Sequence, residues 1–140
     1  DIESVIDSVF ISIGFMPLGV ELNSSRVALA VDKEKFGTAK RYIDEILQKN
    51  EEEKNKYRKV SNSEIKGNIR SSITRKVKEK YIDYVKSGEL DKANKLKEDL
   101  KRLDIGYKNS DFSDWIKEYD KEQEMKRKEK EEDERLKNEG

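Results

Sequence analysis

The sequence contains no cysteine and no histidine. Without cysteine the chain cannot form disulfides, build a thiolate zinc site or use a thiol nucleophile. Without histidine it lacks the commonest general base and most transition-metal sites, and a Ser-His-Asp triad is excluded. We therefore expect a protein that is not an enzyme and that needs no cofactor or metal.

Glycine is also sparse, and its spacing does not form a phosphate-binding loop. Gly14, Gly19 and Gly37 lie too far apart, and no Gly-Lys-Ser/Thr sequence follows them. Carboxylates are abundant, but they are interleaved with lysine at the spacing of ion pairs on a helix. A pair such as Glu98 and Asp99 therefore indicates a salt-bridged helix surface rather than a catalytic dyad.

Apolar residues are scarce: they make up 33% of the 140 residues, whereas 44% are charged, with 31 basic and 31 acidic side chains. A single proline, Pro17, leaves the chain after it without a strong helix breaker. The abundance of Lys, Glu, Leu and Ile favours helices. The predicted fold class is all-α, with elongated helices, a central antiparallel helical hairpin and a charged C-terminal helix or tail.

The densest apolar run lies before Pro17. Its residues recur at helical spacing, which predicts a helix that docks on another protein surface. Acidic Asp1, Glu3 and Asp7 argue against a signal peptide, and the run is shorter than the ~20 residues of a membrane span. We therefore predict no membrane insertion by this segment. Its candidate interface residues are Ile2, Val5, Ile6, Val9, Phe10, Ile13 and Phe15.

The helical periodicity divides the chain into four segments. These are a docking helix with a Gly/Pro connector over 1–25, an amphipathic and then solvated helix over 26–60, a helical hairpin over 61–106, and a terminal helix with a charged tail over 107–140. Gly37 is a candidate kink in the second segment. Ser61 and Glu64 form a capping box at the start of the hairpin.

Two amphipathic helices make up the predicted hairpin. The first carries an apolar stripe that repeats every four residues and slants around the helix: Ile65, Ile69, Ile73, Val77, Tyr81 and Val85. The second carries Leu90, Ala93, Leu96, Leu100 and Leu103 on one face. Because Ser87 and Gly88 mark a short turn between them, the two helices are expected to pack as antiparallel neighbours.

Basic residues concentrate between Lys54 and Lys86, where eleven Lys or Arg face three acidic residues in the sequence. Such a stretch suits nonspecific contact with backbone phosphates, with a strong dependence on salt. The alternative, which the zero net charge favours, is that these charges pair with acidic residues near the two ends of the chain. The nucleic-acid candidates are Lys66, Arg70, Arg75, Lys76, Lys78 and Lys80.

An aromatic cluster near residue 115 is the remaining candidate for an interface. Phe112, Trp115 and Tyr119 recur at the spacing of residues that pack on one side of a helix. This spacing predicts a place in a core or at a protein interface rather than a platform for stacked bases. Phe112 and Trp115 are therefore included among the candidate interface residues.

One succession of elements resembles the C-terminal region of the very large internal virion proteins of tailed bacteriophages, over roughly residues 9–119. A short apolar helix ends in a Gly-Phe-x-Pro sequence, and a long Lys/Glu-rich helix follows. The next helix turns at a Gly-Glu pair, and a polar-capped helix closes the region. The residues that carry the resemblance are Gly14, Phe15, Met16, Pro17, Gly88, Glu89 and the stretch from Ser110 to Tyr119.

The resemblance implies a structural cargo or ejection protein, stored in the capsid or tail lumen after synthesis in the host cytoplasm. Its expected partners are other protein chains: a portal, other cargo or the remainder of its own polyprotein. Nonspecific contact with packaged DNA is a further expectation. Two alternatives stay open, a nucleic-acid-associated helical module and a cellular helical adaptor or scaffold.

Overall fold

The structure, a computed structural model, describes residues 18–52 and 60–139. These two ranges form five α-helices and contain no strand, which confirms the all-α fold class. The helices are α1 (Leu18–Asp32), α2 (Phe36–Glu52), α3 (Asn62–Lys86), α4 (Leu90–Arg102) and α5 (Asn109–Glu139). The predicted docking helix before Pro17, with its seven candidate interface residues, lies outside the described residues.

Helix α1 begins and ends elsewhere than the sequence predicts. The expected connector is helical from Leu18, and the break falls at residues 33–35 instead of at Gly37. Glu34 has a φ of 57°, and the Lys35 N–H donates to the Ala30 carbonyl at 2.8 Å. This is a Schellman ending in which Glu34 occupies the left-handed position usually held by glycine. Because glycine is missing there, the sequence carries no recognisable stop.

Helix α3 lies at the centre of the bundle and contacts each of the four other described helices. Its first turn is capped as predicted at Ser61, whose hydroxyl accepts a hydrogen bond from the Glu64 N–H at 3.2 Å. Five of the six residues in the predicted apolar stripe are buried, and the sixth, Val85, is half-buried. The buried members are Ile65, Ile69, Ile73, Val77 and Tyr81.

The chain reverses direction after α3. Gly88 has a φ of 80°, and the Glu89 N–H donates to the Tyr84 carbonyl at 2.8 Å, which ends the helix. The return path brings the Ile105 carbonyl to within 2.6 Å of Arg70 Nη1. The segment that follows α4 therefore lies beside the first half of α3.

Helix α4 buries a narrower face than predicted. Ala93, Leu96, Leu100 and Leu103 are each at most 2% exposed, whereas Leu90 is 58% exposed, so the prediction for Leu90 is wrong. With about 100° of rotation per residue, Leu90 points about 100° away from the middle of the face formed by the other four.

We predict that Ile73→Asp or Leu96→Asp unfolds the bundle, because these side chains are only 2% and 1% exposed. Burying an unpaired carboxylate costs several kcal/mol, a large part of the ~5–15 kcal/mol that holds a domain folded. Circular dichroism should show loss of helical signal and of the cooperative melt. The control is Ser71→Asp, at an exposed position of α3, which should melt like the unaltered chain. Unchanged ellipticity and melting temperature for Ile73→Asp would contradict the packing.

Candidate functional site

The basic residues of α3 are mostly engaged within the chain. Four of the six nucleic-acid candidates have partners within the chain. Two form ion pairs: Lys66 Nζ with the Asp104 carboxylate at 3.5 Å, and Lys78 Nζ with the Glu118 carboxylate at 3.2 Å. Two donate to backbone carbonyls: Arg70 Nη1 to Ile105 at 2.6 Å, and Lys80 Nζ to Asp32 at 2.8 Å. These contacts tie α3 to α1, to α5 and to the segment that joins α4 to α5. The basic charge is thus largely used to hold elements of the bundle together.

Arg75 and Lys76 are the two remaining nucleic-acid candidates. The Arg75 side chain is 90% exposed and lies 3.9 Å from the Glu79 carboxylate. Lys76 is exposed and forms no ion pair with the described residues. Since each neutralised phosphate adds to the salt dependence of binding, two exposed cations make a weak nucleic-acid surface.

Lys76 also lines a narrow groove between α1 and α3. The floor is apolar and includes Val31, Ile73 and Val77, while Lys80 stands at the edge with Lys76. The volume of the groove is about 120 Å³. Small-molecule sites typically occupy ~300 Å³ or more, so this groove is too small for one.

The aromatic residues of α5 form part of the core. Phe112 is 1% exposed and Trp115 is 8% exposed, so of the two predicted places, a core or a protein interface, they occupy the core. Their ring centroids lie 4.8 Å apart, and that of Tyr81 lies 5.1 Å from Phe112, both pairs edge to face. The first turns of α5 thus cover α3 near Tyr81. Helical spacing alone does not distinguish a face that meets its own chain from one that meets a partner.

A polar pocket opens between α3 and the start of α5, with a volume of about 450 Å³. It was not predicted from the sequence. Its walls come from the middle of α3, from the segment before α5 and from the first two turns of α5. The lining residues are Arg70, Thr74, Gly106, Tyr107, Lys108, Asp111 and Trp115.

Gly106 allows Arg70 to lie against the backbone of this segment. Its φ is 105°, and a Cβ atom at this position would lie 2.2 Å from Arg70 Nη1. Asp104, with a φ of 56°, supplies a second left-handed residue just before it. Glycine thus serves here both for its conformation and for the absence of a side chain.

Tyr107 forms the inner wall of the pocket and is 8% exposed. Its hydroxyl lies 2.8 Å from that of Thr74, and the Thr74 hydroxyl donates to the Arg70 carbonyl at 2.6 Å. Burial raises the pKa of Tyr107 to about 12, against the opposing effects of the Thr74 hydrogen bond and the Arg70 charge. Tyr107 is therefore neutral near pH 7 and serves as a hydrogen-bonding group rather than as a base.

The sequence offered one signal for this wall. Ile105, Gly106 and Tyr107 interrupt a polar stretch, and the structure buries Ile105 as well as Tyr107. Apolar side chains in a short segment between two helices favour packing against the core. The position of Arg70 in the pocket wall carried no such signal, because its hydrogen-bonding partners Ile105 and Tyr107 lie more than 30 positions away in the sequence.

The second half of α5 leaves the bundle, and residues 120–139 are all exposed. We call this stretch the α5 arm. Its charges pair along the helix at spacings of three and four residues. The pairs are Glu122–Lys126, Glu124–Arg127, Arg127–Glu131, Glu132–Arg135 and Arg135–Glu139. The predicted charged tail is therefore an extended helix.

No protein-family model, curated protein or solved structure matches the chain. Within residues 18–52 and 60–139, no group of three or more carboxylates is placed to hold a metal ion. None of the described helices combines the length and the apolar character that crossing a membrane requires.

We predict that the free energy of unfolding falls between pH 10 and 12, because Tyr107 has a pKa of about 12 in the folded chain against an ordinary value of 10.0. Below pH 10 both states hold the phenolic proton. Above it the unfolded chain releases the proton first, so rising pH favours unfolding by up to about 3 kcal/mol. Urea melts across this range measure the effect.

Tyr107→Phe is the control for the titration of the many lysines in the same pH range. The variant should start less stable, since it loses the Thr74 hydrogen bond. Its stability should then fall less steeply than that of the unaltered chain. Parallel pH profiles for the two proteins would rule out Tyr107 as the group responsible.

Proposed function

We propose that the chain is a non-enzymatic structural component that acts through helix-mediated contacts with other proteins. The observation that carries this proposal is the α5 arm. At 1.5 Å per residue its 20 residues extend about 30 Å, and all of them are exposed. Asp120, the first of them, forms an ion pair with Lys86 of α3. A helix that adds nothing to its own core is suited to a role outside the bundle.

The α5 arm carries two apolar residues on one side. Met125 and Leu136 are 55% and 53% exposed, and their separation of eleven positions corresponds to about three turns. Both are surrounded by charged side chains at helical spacing. Such a face suits a partner that supplies two small apolar pockets and complementary charges around them.

We further propose that the assembly is the interior of a tailed-phage virion. The support is the sequence resemblance to internal virion proteins that are ejected with the genome. The composition agrees with passage through a narrow channel, because a small core with no cysteine unfolds at low cost and carries no cross-links. The portal, other cargo and the remainder of a polyprotein are the partners that this proposal implies.

The nucleic-acid alternative is supported by fewer residues than the sequence indicated. Arg75 and Lys76 are the exposed candidates, whereas Lys66, Arg70 and Lys80 bond within the chain. Contact with packaged DNA would then be weak and nonspecific. We therefore favour protein partners as the principal contact.

We predict that removing residues 121–140 prevents incorporation of the chain into virions without unfolding the bundle. The truncation retains Asp120, which lies 2.5 Å from Lys86, and it deletes only exposed described residues. The melting temperature should change by no more than about 2 °C, since exposed residues contribute little to stability. Mass spectrometry of particles purified from the encoding phage measures incorporation.

A matched pair of variants tests the apolar face of the α5 arm. Met125→Gln with Leu136→Gln should lower incorporation, while Lys130→Gln with Glu134→Gln, at exposed positions on the opposite side of the same helix, should not. Equal incorporation of the truncated and full chains would refute the role of the α5 arm. Absence of the full chain from purified particles would refute the virion assignment.

A further inference from the structure

We propose that the polar pocket between α3 and α5 binds the phosphate group of a small ligand through Arg70 and Lys108. This site is separate from the α5 arm and does not depend on the proposed function. Three features of the pocket favour phosphate binding: its excess of positive charge, the fixed position of Arg70 and the size of the space.

The pocket wall contains two cations and one carboxylate. Among the described residues, no carboxylate forms an ion pair with Arg70 or Lys108. The carboxylate is that of Asp111, and its Oδ2 accepts the Lys108 backbone N–H at 2.8 Å. Two cations outnumber this single carboxylate, so the wall presents net positive charge to a ligand.

Arg70 is held in place with most of its donors unused. A guanidinium has five N–H donors, and the contact with the Ile105 carbonyl at 2.6 Å occupies Nη1. The backbone at Gly106 lies against the same side chain, where a Cβ atom would clash at 2.2 Å. A cation fixed in this way loses little conformational entropy when an anion binds.

The chemistry of the wall favours a phosphate over a carboxylate. A guanidinium donates to two oxygens of either group, and a phosphate retains a third oxygen and a second charge for Lys108. The volume of about 450 Å³ exceeds the need of a single oxyanion. Tyr107 and Trp115 line the same space, so the rest of the ligand would contact aromatic surface.

Trp115 is the only tryptophan of the chain and lines the pocket, so its fluorescence reports on the site. We predict that inorganic phosphate at pH 8, titrated at constant ionic strength, changes this fluorescence saturably. Phenyl phosphate should bind more tightly than inorganic phosphate, and acetate at least about tenfold more weakly. A non-saturable response to phosphate, or equal binding of acetate, would overturn the proposal.

Lys108→Gln is the deciding variant because its side chain is exposed and it retains the backbone cap to Asp111. It should bind phosphate about tenfold more weakly at an unchanged melting temperature. Lys117→Gln, which removes the same charge from an exposed position of α5 outside the pocket, should bind normally. Equal weakening by both variants would reduce the effect to overall charge and refute the site.

Arg70→Gln tests the second cation. It should weaken phosphate binding by at least about tenfold, and thermal melts separate this loss from any loosening of the segment around Ile105. Arg75→Gln is its control on the same helix, since Arg75 is outside the pocket. Normal phosphate affinity in a folded Arg70→Gln chain would show that Arg70 serves only to brace the loop.

Discussion

The bundle depends on the burial of one helix on several sides. Helix α3 repeats an apolar residue every four positions, and four residues advance about 40° beyond a full turn. From Ile65 to Tyr81 the buried side chains therefore sweep about 160° around the helix. A stripe this wide cannot be covered by a single neighbour, and α3 contacts each of the other four described helices. A chain with few apolar residues thus builds its core around one helix that all the other described helices contact, while α1 and α2 also pack on each other.

The features that follow from local pattern could be predicted from the sequence. The all-α class, the cap at Ser61 and the buried stripe of α3 all depend on residues within a few turns of each other. The break before α2 could not be predicted, because Glu34 takes a left-handed conformation and no glycine marks the position. Whether Phe112 lies in the core, as it does, or at an interface could not be predicted, because spacing identifies an apolar face but not the surface that covers it.

The polar pocket depends on long-range placement, and for that reason it escaped prediction. Arg70 appeared in the sequence as one member of a basic stretch suited to phosphates. The structure instead sets it against the Ile105 carbonyl, 35 residues away, through a path that two left-handed residues, Asp104 and Gly106, determine. The pairing of Lys78 with Glu118 has the same origin, since it exists only because α5 returns to α3. Charge was visible in the sequence, but its partners were not.

The bundle and the α5 arm are stabilised by different interactions. The bundle rests on apolar burial, as at Phe112, which ordinary salt concentrations hardly weaken. The α5 arm rests on exposed ion pairs such as those of Arg127, which salt screens, and a helix of 20 residues is marginal without them. The arm can therefore lose its helical structure while the bundle stays folded. A partner that binds the arm would also set its helical content, which couples assembly to local folding without a cost to the core.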